Sequence, residues 1–494
     1  MSLPSVDLSS DTVKKISIHN YQKNERKSVI KSIAGKRFNY TVSEMTREYK
    51  LSKFSYIIED DVGGIRMYNS LSGIYSLLYA AGDKKKKVYD IINDCNNSKW
   101  ANDSCFSKLV ELGYLIDINT DEIALARMKK MEVINQSGLL LTIMPTEDCN
   151  FRCEYCYEDH KKGEMPLAVQ KAIVKFVRKN INNYTCLNIA WFGGEPLEAI
   201  NAVEYLSKQF INICNVAKKN YSASITTNGY NLDKETFKKL QLLKVYYYQI
   251  TIDGTKRFHD KYRHLKDGSG TFARITDNLH QIHLLPRNTF QINIRTNFTQ
   301  ENIEELSQHL AYCEELFGDD PRFSMFLHLV GNWGGDSVGG LETKLLTNDS
   351  YKNLLKDANE QKTSLNFKSH LIDLDPTSFK CYAGLKNAFV IGSDGSIYKC
   401  TEDFNMPENK IGHLDENGHM IIDQYKHAQW LDCTMEHESA NCANCKYRGC
   451  CLEGPCPKAK IEYQNGHRNS YCPRTKNSVK DIIALLKESA FTIL

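Results

Sequence analysis

The chain has 494 residues, of which 41% are hydrophobic and 25% are charged, and its formal net charge is +3. This length favours a main domain with appended modules, and the small charge favours neither a nucleic-acid surface nor a funnel for acidic substrates. The first residues lack the apolar run of a secretion signal, and no stretch of about 18 apolar residues occurs. We therefore predict a cytoplasmic protein that binds neither membrane nor nucleic acid. In that compartment, its 17 cysteines indicate metal sites rather than a disulfide framework.

Residues 1–135 combine strand patterns with helix patterns. Two apolar runs, Phe54–Ile58 and Ile65–Tyr68, flank a turn signal at residues 60–64 and predict a β-hairpin. Helix-period stretches follow it, at Val88–Ile92, Cys105–Leu112 and Glu122–Met131. Strands followed by helices predict a small α+β domain that resembles a winged helix.

Residues 136–335 alternate short β-type runs with amphipathic helical stretches, which is the pattern of βα units and a parallel sheet. Six strands are predicted, at Leu139–Met144, Leu187–Phe192, Ser224–Thr227, Tyr247–Thr251, Gln291–Thr296 and Arg322–Leu329. Six repeats predict an α/β fold with a partial (β/α)6 TIM-like barrel. We expect residues 336–380 to form a linker. The glycine-rich residues 331–340 predict a flexible connection or, alternatively, a lid over the substrate.

Candidate reactive groups follow the first four predicted strands. In chain order they are Cys149–Cys156, Gly193–Pro196, Asn228–Gly229 and Asp253–Gly254. In barrels of parallel strands, the reactive groups lie at the carboxyl ends of the strands. We therefore expect all four sets on one rim of the barrel.

Cys149, Cys153 and Cys156 form a C-x3-C-x2-C string within one loop. This spacing brings three thiolates close enough to hold a single inorganic centre. A four-iron cluster with three protein ligands leaves one iron open to an exogenous group, as a catalytic zinc keeps one position open. The alternatives are a zinc site with a distant fourth ligand, or three unpaired core thiols.

The string CNFRCEYCYE, followed by GGEP after the next strand, resembles the radical S-adenosylmethionine (radical SAM) superfamily. The resemblance covers residues 138 to about 330. It implies that the three cysteines are the catalytic ligands of a [4Fe–4S] cluster, which cleaves S-adenosylmethionine (SAM) reductively to a 5′-deoxyadenosyl radical. It also implies that Glu195, with the backbone of Gly193 and Gly194, holds the amino group of SAM. Glycines permit such a close approach because they lack Cβ.

Further contacts with SAM follow from the same resemblance. Tyr155 would pack near the adenine, and Thr227 and Asn228 would contact the ribose. Asp253 opens the string DG…HD..R, a pattern common in one branch of the family, which also contains His259, Asp260 and Arg263. The alternative for Tyr155 is ordinary aromatic packing, and the alternative for the string is local ion pairing.

The region from 381 to 475 carries nine of the cysteines. Seven or more usable thiolates exceed the needs of one tetrathiolate zinc site, which is the alternative, and fit two four-cysteine centres. The spacing, with Gly395 five residues ahead of Cys400, resembles a SPASM domain, the auxiliary-cluster extension behind radical SAM barrels in enzymes that modify peptides and proteins. We expect a helix over residues 476–494 to follow it.

The SPASM resemblance implies two auxiliary [4Fe–4S] clusters, and three clusters in all. The ligands would be Cys381, Cys400 and Cys456 for the first cluster, and Cys442, Cys445, Cys451 and Cys472 for the second. The chain departs from the usual pattern twice. The gap from Cys451 to Cys456 has four residues rather than three, with Cys450 as a rival ligand. The first cluster lacks an obvious fourth cysteine, so Cys450, Cys433 or an open iron that binds a substrate thiolate would complete it.

The resemblance implies an enzyme that modifies peptides and draws electrons from a one-electron reductant such as flavodoxin or ferredoxin. Anaerobic sulfatase maturases start almost directly at the cluster motif and place an acidic residue after the second auxiliary cysteine, where this chain has Thr401. The N-terminal domain resembles the leader-recognition domain of ribosomal-peptide maturases. Such a domain would bind a leader along the edge of Phe54–Ile58, and a packing role is its alternative.

We therefore predict a precursor peptide with a leader and a cysteine-containing core as the substrate. The predicted reaction is formation of thioether cross-links from a core cysteine. Carbon–carbon cross-linking and a sulfatase-maturase-like oxidation are the alternative reactions, and an iron–sulfur electron carrier is the alternative without catalysis.

Overall fold

The computed structural model describes residues 48–59, 63–78, 82–286, 289–318, 320–330, 374, 381–431, 444–451, 456–472, 479–480, 483–484 and 492–493. Among these residues, no helix is both long and apolar enough to cross a lipid bilayer. The glycine-rich residues 331–340, the linker apart from Leu374, Cys433 and Cys442 lie outside the described residues.

The described strands are β1 (Tyr49–Leu51), β2 (Ser55–Glu59), β3 (Ile65–Asn69), β4 (Ile74–Leu78), β5 (Leu115–Asp117), β6 (Leu139–Ile143), β7 (Cys186–Trp191), β8 (Asn220–Thr227), β9 (Val245–Thr251), β10 (Gln291–Phe298), β11 (Phe323–Leu329), β12 (Ala388–Ile391), β13 (Ser396–Tyr398), β14 (Lys410–Leu414), β15 (Met420–Ile422) and β16 (Thr492–Ile493). The described helices are α1 (Gly82–Asn93), α2 (Ser104–Glu111), α3 (Glu122–Ile134), α4 (Leu167–Asn180), α5 (Ile200–Ala217), α6 (Lys234–Leu242), α7 (Lys256–Tyr262), α8 (Phe272–His283), α9 (Leu306–Phe317), α10 (Gln424–Leu431), α11 (Arg448–Cys451) and α12 (Pro457–Gln464).

Six parallel strands form the centre of the molecule, in the spatial order β11-β10-β9-β8-β7-β6. Every residue of β7 is buried, as expected of a parallel strand that is covered on both faces. Helices between the strands supply the outer cover; α5, for example, buries Val203, Leu206 and Phe210. The six predicted strands are all present within a few residues, which confirms the partial α/β barrel.

The sheet does not end at the first barrel strand. Strand β12 pairs in parallel with β6, and Ala388 lies opposite Leu140. Strands β13, β14 and β15 then continue the same sheet with antiparallel pairing. The cysteine-rich C-terminal region is therefore joined to the barrel by backbone hydrogen bonds along the strand that leads to Cys149.

The N-terminal residues form a separate four-stranded sheet in the order β16-β4-β3-β2. The predicted hairpin is confirmed, because β2 and β3 pair antiparallel with Ile57 opposite Met67. Helices α1, α2 and α3 follow as predicted. Asp103 and Asp121 cap the last two of these helices by accepting backbone N–H groups at their N-termini, which is a usual role for aspartate at that position.

The expectation of a helix up to residue 494 is wrong at its end. Residues 479–480 and 483–484 are helical, but Thr492–Ile493 form β16, which pairs in parallel with Ser76 and Leu77 of β4. Threonine and isoleucine are β-branched and favour strands, and β4 offers an edge that they complete. The C-terminus therefore contributes to the N-terminal sheet.

Candidate active site

The loop with the three cysteines follows β6 and is held by a second backbone segment. Phe151 forms an antiparallel bridge with Leu265. The amide of Arg152 donates to the carbonyl of His264 at 2.9 Å, and the amide of Glu154 donates to that of Tyr262 at 3.1 Å. The loop and the segment after α7 thus form a short antiparallel ladder, which fixes the backbone between the first and last cysteine.

Cys149 is buried and its sulfur meets hydrogen-bond donors, whereas Cys153 and Cys156 are partly buried. Cys149 is 7% exposed. Its Sγ accepts from the amide of Phe151 at 3.3 Å and from Nδ2 of Asn228 at 3.9 Å. Burial raises the pKa of the Cys149 and Cys153 thiols and raises that of Cys156 to about 12. A buried thiol loses its proton when a metal centre compensates for the charge, so the donors around Cys149 fit a metal-bound thiolate.

A cluster and a single ion make different demands on such a loop. Within the described ranges, no three His, Cys, Asp or Glu side chains are arranged to hold a single metal ion. The ligands of a four-iron cluster each bind a different iron and stand further apart than ligands of one ion. The assignment of the cluster to Cys149, Cys153 and Cys156 stays a prediction.

Gly193 and Gly194, after β7, lie directly against the backbone that precedes Cys149. A Cβ on Gly193 would come within 2.2 Å of the Thr146 carbonyl oxygen, and one on Gly194 would come equally close to that of Asp148. Gly193 also has a φ of +115°, in a region that side chains disfavour. In this structure, the missing Cβ atoms accommodate the cysteine loop. Contact of the two glycines with SAM stays a prediction.

Glu195 is fully buried and joins the ends of two barrel strands. Its Oε1 accepts from the Thr227 hydroxyl at 2.7 Å and from the Leu197 amide at 3.0 Å, and its Oε2 accepts from the Asn228 amide at 2.7 Å. Burial raises the pKa of Glu195 to about 7, although these donors oppose the shift. The carboxylate thus holds the loop after β7 against the end of β8.

Asn228 connects this carboxylate to the cysteine loop. Besides the long contact to Cys149, its Nδ2 donates to Oδ1 of Asn150 at 2.7 Å, and both Thr227 and Asn228 are buried. The first three predicted sets of rim residues therefore meet, as expected for the carboxyl ends of parallel strands.

Tyr155 and Asp253 form a hydrogen-bonded pair beside the cysteines. The Tyr155 hydroxyl donates to Asp253 Oδ2 and accepts from Arg263 Nη1 at 2.9 Å and from Asn297 Nδ2 at 3.3 Å. The Asn297 amide donates to the other oxygen of Asp253 at 2.7 Å. The fourth predicted set thus also reaches the cysteine loop. Contacts of Tyr155 and Asp253 with SAM stay predictions.

The remaining members of the DG…HD..R string have local partners. His259 Nδ1 accepts from the Asp253 amide at 3.2 Å, and its Nε2 lies 3.1 Å from the Thr271 hydroxyl. Asp260 accepts the backbone amides of Thr271 and Phe272 at the start of α8, both at 2.8 Å. The string therefore orders the polypeptide around Arg263, which lies beside the cysteine loop.

The C-terminal region brings Cys381, Cys400 and Cys456 near one another. Burial raises the pKa of Cys381 to about 12, with Cys456 as the next contribution. Burial also raises that of Cys400, followed by the charges of Glu402 and Cys381. Backbone amides donate to two of the sulfurs: that of Glu402 to Cys400 at 3.4 Å, and that of Ala459 to Cys456 at 3.5 Å. These three thiols are the proposed ligands of the first auxiliary cluster, and their mutual proximity fits that role.

Cys445, Cys450 and Cys451 lie against the N-terminal sheet. Cys450 is fully buried in a cluster with Tyr56, Tyr68 and Tyr447, and Cys445 and Cys451 pack at its edge. A Cβ on Gly449 would come within 2.7 Å of the Leu71 amide. Cys472 is exposed. The ligands of the second auxiliary cluster, including the choice between Cys450 and Cys451, stay predictions.

The sequence patterns assign no role to four polar residues near these sites, Tyr157, Arg295, Asn297 and His328. Arg295 Nη2 lies 3.0 Å from His328 Nδ1, and its Nε donates to Asn297 at 2.8 Å. Tyr157 directly follows Cys156. Burial raises the pKa of its hydroxyl, followed by the charges of Glu158, Glu402 and Cys156. Arg295 and His328 lie near the carboxyl ends of β10 and β11, so the rule that found the first four sets would have found them on the last two strands.

The comparisons with known proteins agree with this arrangement. Residues 143–312 match the family model "Radical SAM superfamily". The chain is 27% identical to a cysteine-type anaerobic sulfatase-maturating enzyme of Clostridium novyi, over 72% of this chain and 98% of the relative. It is 22% identical to a serine-type enzyme of that name from Bacteroides thetaiotaomicron, over 63% and 81%. A solved structure of anSMEcpe with bound AdoMet and the Kp18Cys peptide superposes with a TM-score of 0.55 at 20% identity, over 70% of this chain and 98% of that one.

The barrel, the cysteine loop at the end of its first strand and the family match define an iron–sulfur enzyme that uses SAM. Residues 143–312 form a radical SAM domain, as the resemblance implied. The likeness of the chain to the two relatives extends beyond the residues of the family model.

Proposed function

We propose that this enzyme modifies a ribosomally made precursor peptide by joining a core cysteine sulfur to carbon in a thioether cross-link. One observation carries the proposal: a second group of thiols, Cys381, Cys400 and Cys456, converges in the C-terminal region, whose first strand β12 pairs with the strand that leads to Cys149. A peptide bound between the two groups would meet a hydrogen-abstracting centre on one side and a thiol-binding or electron-accepting centre on the other.

The residues around Cys149, Cys153 and Cys156, the first centre, would have different roles. Cys149, Cys153 and Cys156 would hold the [4Fe–4S] cluster, and Glu195 with Gly193 and Gly194 would orient SAM, beside Tyr155, Thr227, Asn228 and Asp253. When bound, the cluster and SAM supply a 5′-deoxyadenosyl radical that takes one hydrogen atom from a substrate carbon.

The second centre would complete the electron balance. Forming a thioether removes one hydrogen atom from carbon, and one proton and one electron from the thiol. Cys381, Cys400 and Cys456 would hold the first auxiliary cluster, and Cys442, Cys445, Cys451 and Cys472 would hold the second. When bound, these clusters would supply acceptors for that electron. A flavodoxin or ferredoxin would supply the electron that starts each cycle.

The N-terminal sheet would bind the leader along β2. Among the described strands, β2 has a neighbour on one side alone. The Ser70 amide donates to the Phe54 carbonyl at 3.0 Å, so residues 54, 56 and 58 form the hydrogen-bonded pairs with β3, and Ile57 and Glu59 direct their amides outward. Such an edge accepts an extended peptide as an added strand.

The test is a reaction of the reconstituted enzyme with SAM, a reductant and a precursor peptide that has a leader and a cysteine-containing core. We expect 5′-deoxyadenosine, a loss of two hydrogens for each cross-link by mass spectrometry, and one fewer alkylatable thiol for each hydrogen pair lost. Loss of hydrogen with every thiol still open to alkylation would instead indicate a carbon–carbon bond. An unmodified peptide would contradict the proposal.

The second candidate is oxidation of a cysteine or serine in a target protein, which the Clostridium novyi relative favours through its 98% coverage. Thr401 stands at the position where such enzymes carry an acid. It is buried, and its hydroxyl accepts a hydrogen bond from that of Tyr382 at 2.9 Å. Its side chain carries no carboxylate. Conversion of a sulfatase-derived cysteine peptide to an aldehyde, with no change in the leader-bearing peptide, would favour this candidate.

A further inference from the structure

The ladder between the cysteine loop and the segment after α7 has a definite register. Besides the hydrogen bonds from Arg152 to His264 and from Glu154 to Tyr262, the Lys266 amide donates to the Asn150 carbonyl at 3.1 Å. These bonds alternate along the ladder. Cys153 and Arg263 between them therefore form a non-hydrogen-bonded pair, the kind in which opposed side chains lie closest and on the same face.

Arg263 is held in this position from several sides. It is 8% exposed, and its Nη1 donates to the Tyr155 hydroxyl at 2.9 Å. Its guanidinium carbon lies 5.7 Å from the centre of the Phe151 ring, and the Thr271 hydroxyl donates to its backbone carbonyl. The guanidinium therefore cannot turn out to solvent without breaking its contacts to the cysteine loop.

The Nε–H group of Arg263 takes no part in these contacts. Among the described residues, its buried Nε–H has no hydrogen-bond acceptor. Buried donors of this kind are rare in native proteins, and they call for a partner such as a bound group. Beside Cys153, a metal-bound sulfur would provide an acceptor.

We propose that Arg263 is a positioning residue of the radical-generating centre: it holds the loop at Cys153 and places a permanent positive charge beside the cluster that Cys149, Cys153 and Cys156 would bind. This inference rests on the proposed cluster ligation. Reduction adds a negative charge to the cluster, and a nearby buried cation favours that state because water and salt screen it little. Arginine suits this role because it stays protonated in proteins.

The test is a redox titration of the full-length reconstituted protein. The signal to follow is the electron paramagnetic resonance of the reduced cluster that changes on addition of SAM and disappears in Cys153→Ala. We expect Arg263→Met to lower the reduction equilibrium constant of this cluster about tenfold, a shift of ~59 mV to more negative potential for one electron. Arg263→Lys, which keeps the charge, should shift it far less. Equal shifts in both variants, or none in either, would overturn the proposal.

Two further variants distinguish a change in the reduction potential from a failure of the protein to fold. Asp253→Asn removes the carboxylate linked to Arg263 through Tyr155 and should shift the potential in the positive direction. If Arg263→Met fails to bind iron, Asp253→Asn tests the proposal in its place. An unchanged or more negative reduction potential in Asp253→Asn would then contradict the inference. Lys261→Met removes a charge from α7, two residues before Arg263. The Lys261 side chain is 54% exposed, so this change should leave the potential unchanged. A wild-type protein without a SAM-sensitive signal would instead refute the cluster ligation itself.

Discussion

Two groups of cysteines in this chain are built in different ways. Cys149, Cys153 and Cys156 occupy one loop of eight residues, which a backbone ladder and two glycines fix against the barrel. Cys381, Cys400 and Cys456 come from three separate segments and converge through packing. The first arrangement is local in sequence and the second depends on tertiary structure. The first group should therefore tolerate damage elsewhere in the chain better than the second.

The largest expected effect is on the first group. Cys153→Ala should abolish formation of 5′-deoxyadenosine, because it removes a ligand rather than an outer-shell partner, whose loss costs about 10–100-fold. The measurement is chromatography of the reaction with SAM and dithionite. Cys214→Ala, which changes a buried cysteine of α5 outside the proposed ligands, is the matched control and should retain activity. Undiminished cleavage in Cys153→Ala would refute the role of the loop.

Iron content separates the two groups. We expect about twelve irons for each wild-type chain after anaerobic reconstitution and about eight when Cys381, Cys400 and Cys456 are all changed to alanine. That triple variant should still cleave SAM, since the loop at Cys149 is fixed by its own ladder. Saturation of the wild type at four irons would remove the auxiliary clusters from the proposal, and loss of all iron in the triple variant would contradict the independence of the two groups.

A smaller effect is expected on leader binding by the N-terminal sheet. Ile57→Pro removes an amide that points away from β3 and should weaken leader binding roughly tenfold, the equivalent of one lost hydrogen bond. Fluorescence anisotropy of a labelled leader peptide would measure it. Ile57→Ala shortens the same side chain but keeps the amide, and should bind the leader more tightly than Ile57→Pro. Equal affinity in the two variants would argue against binding as an added strand. Point changes are preferable to deletion of residues 1–130, because Tyr56 and Tyr68 pack around Cys450.

The smallest expected effect concerns pH. The pKa of Glu195 is about 7 in the folded chain and 4.5 without burial, so the folded state binds more protons between these values. Its contribution to stability therefore falls as pH rises from about 4.5 to 7 and stays lower above that window. Glu195→Gln should lack this slope, a difference of about 3 kcal/mol, in urea unfolding of the metal-free protein at pH 5 and pH 8. Glu235→Gln, at a side chain that is 79% exposed, should keep it.

Local patterns predicted much of this molecule. Apolar runs marked the six barrel strands, and the rule that reactive groups follow strand ends brought Cys149, Gly193, Asn228 and Asp253 to one place. The rule also applies to the last two strands, where Arg295 and His328 were missed. Neither residue belongs to a motif, and their significance depends on facing the same site.

Other features could not be predicted from the sequence because they depend on pairing between distant segments. Nothing in the run Ala388–Ile391 indicates that its partner is β6, and nothing in Thr492–Ile493 indicates β4. The opposition of Cys153 and Arg263 follows from a ladder register that arises when the loop and the end of α7 meet. Sequence spacing locates ligands within one loop, but it does not show which charge lies beside them.

The pairing of β12 with β6 has a consequence for the order in which the chain folds. Strand β6 gains its second neighbour after residues 388–391 have been synthesised and a very long loop has closed, which is a slow step. Until then, one edge of the strand that leads to Cys149 is open to incorrect partners, a known source of aggregation. An N-terminal fragment that stops short of β12 should therefore be prone to aggregation, and cluster insertion is best timed after the whole polypeptide has left the ribosome.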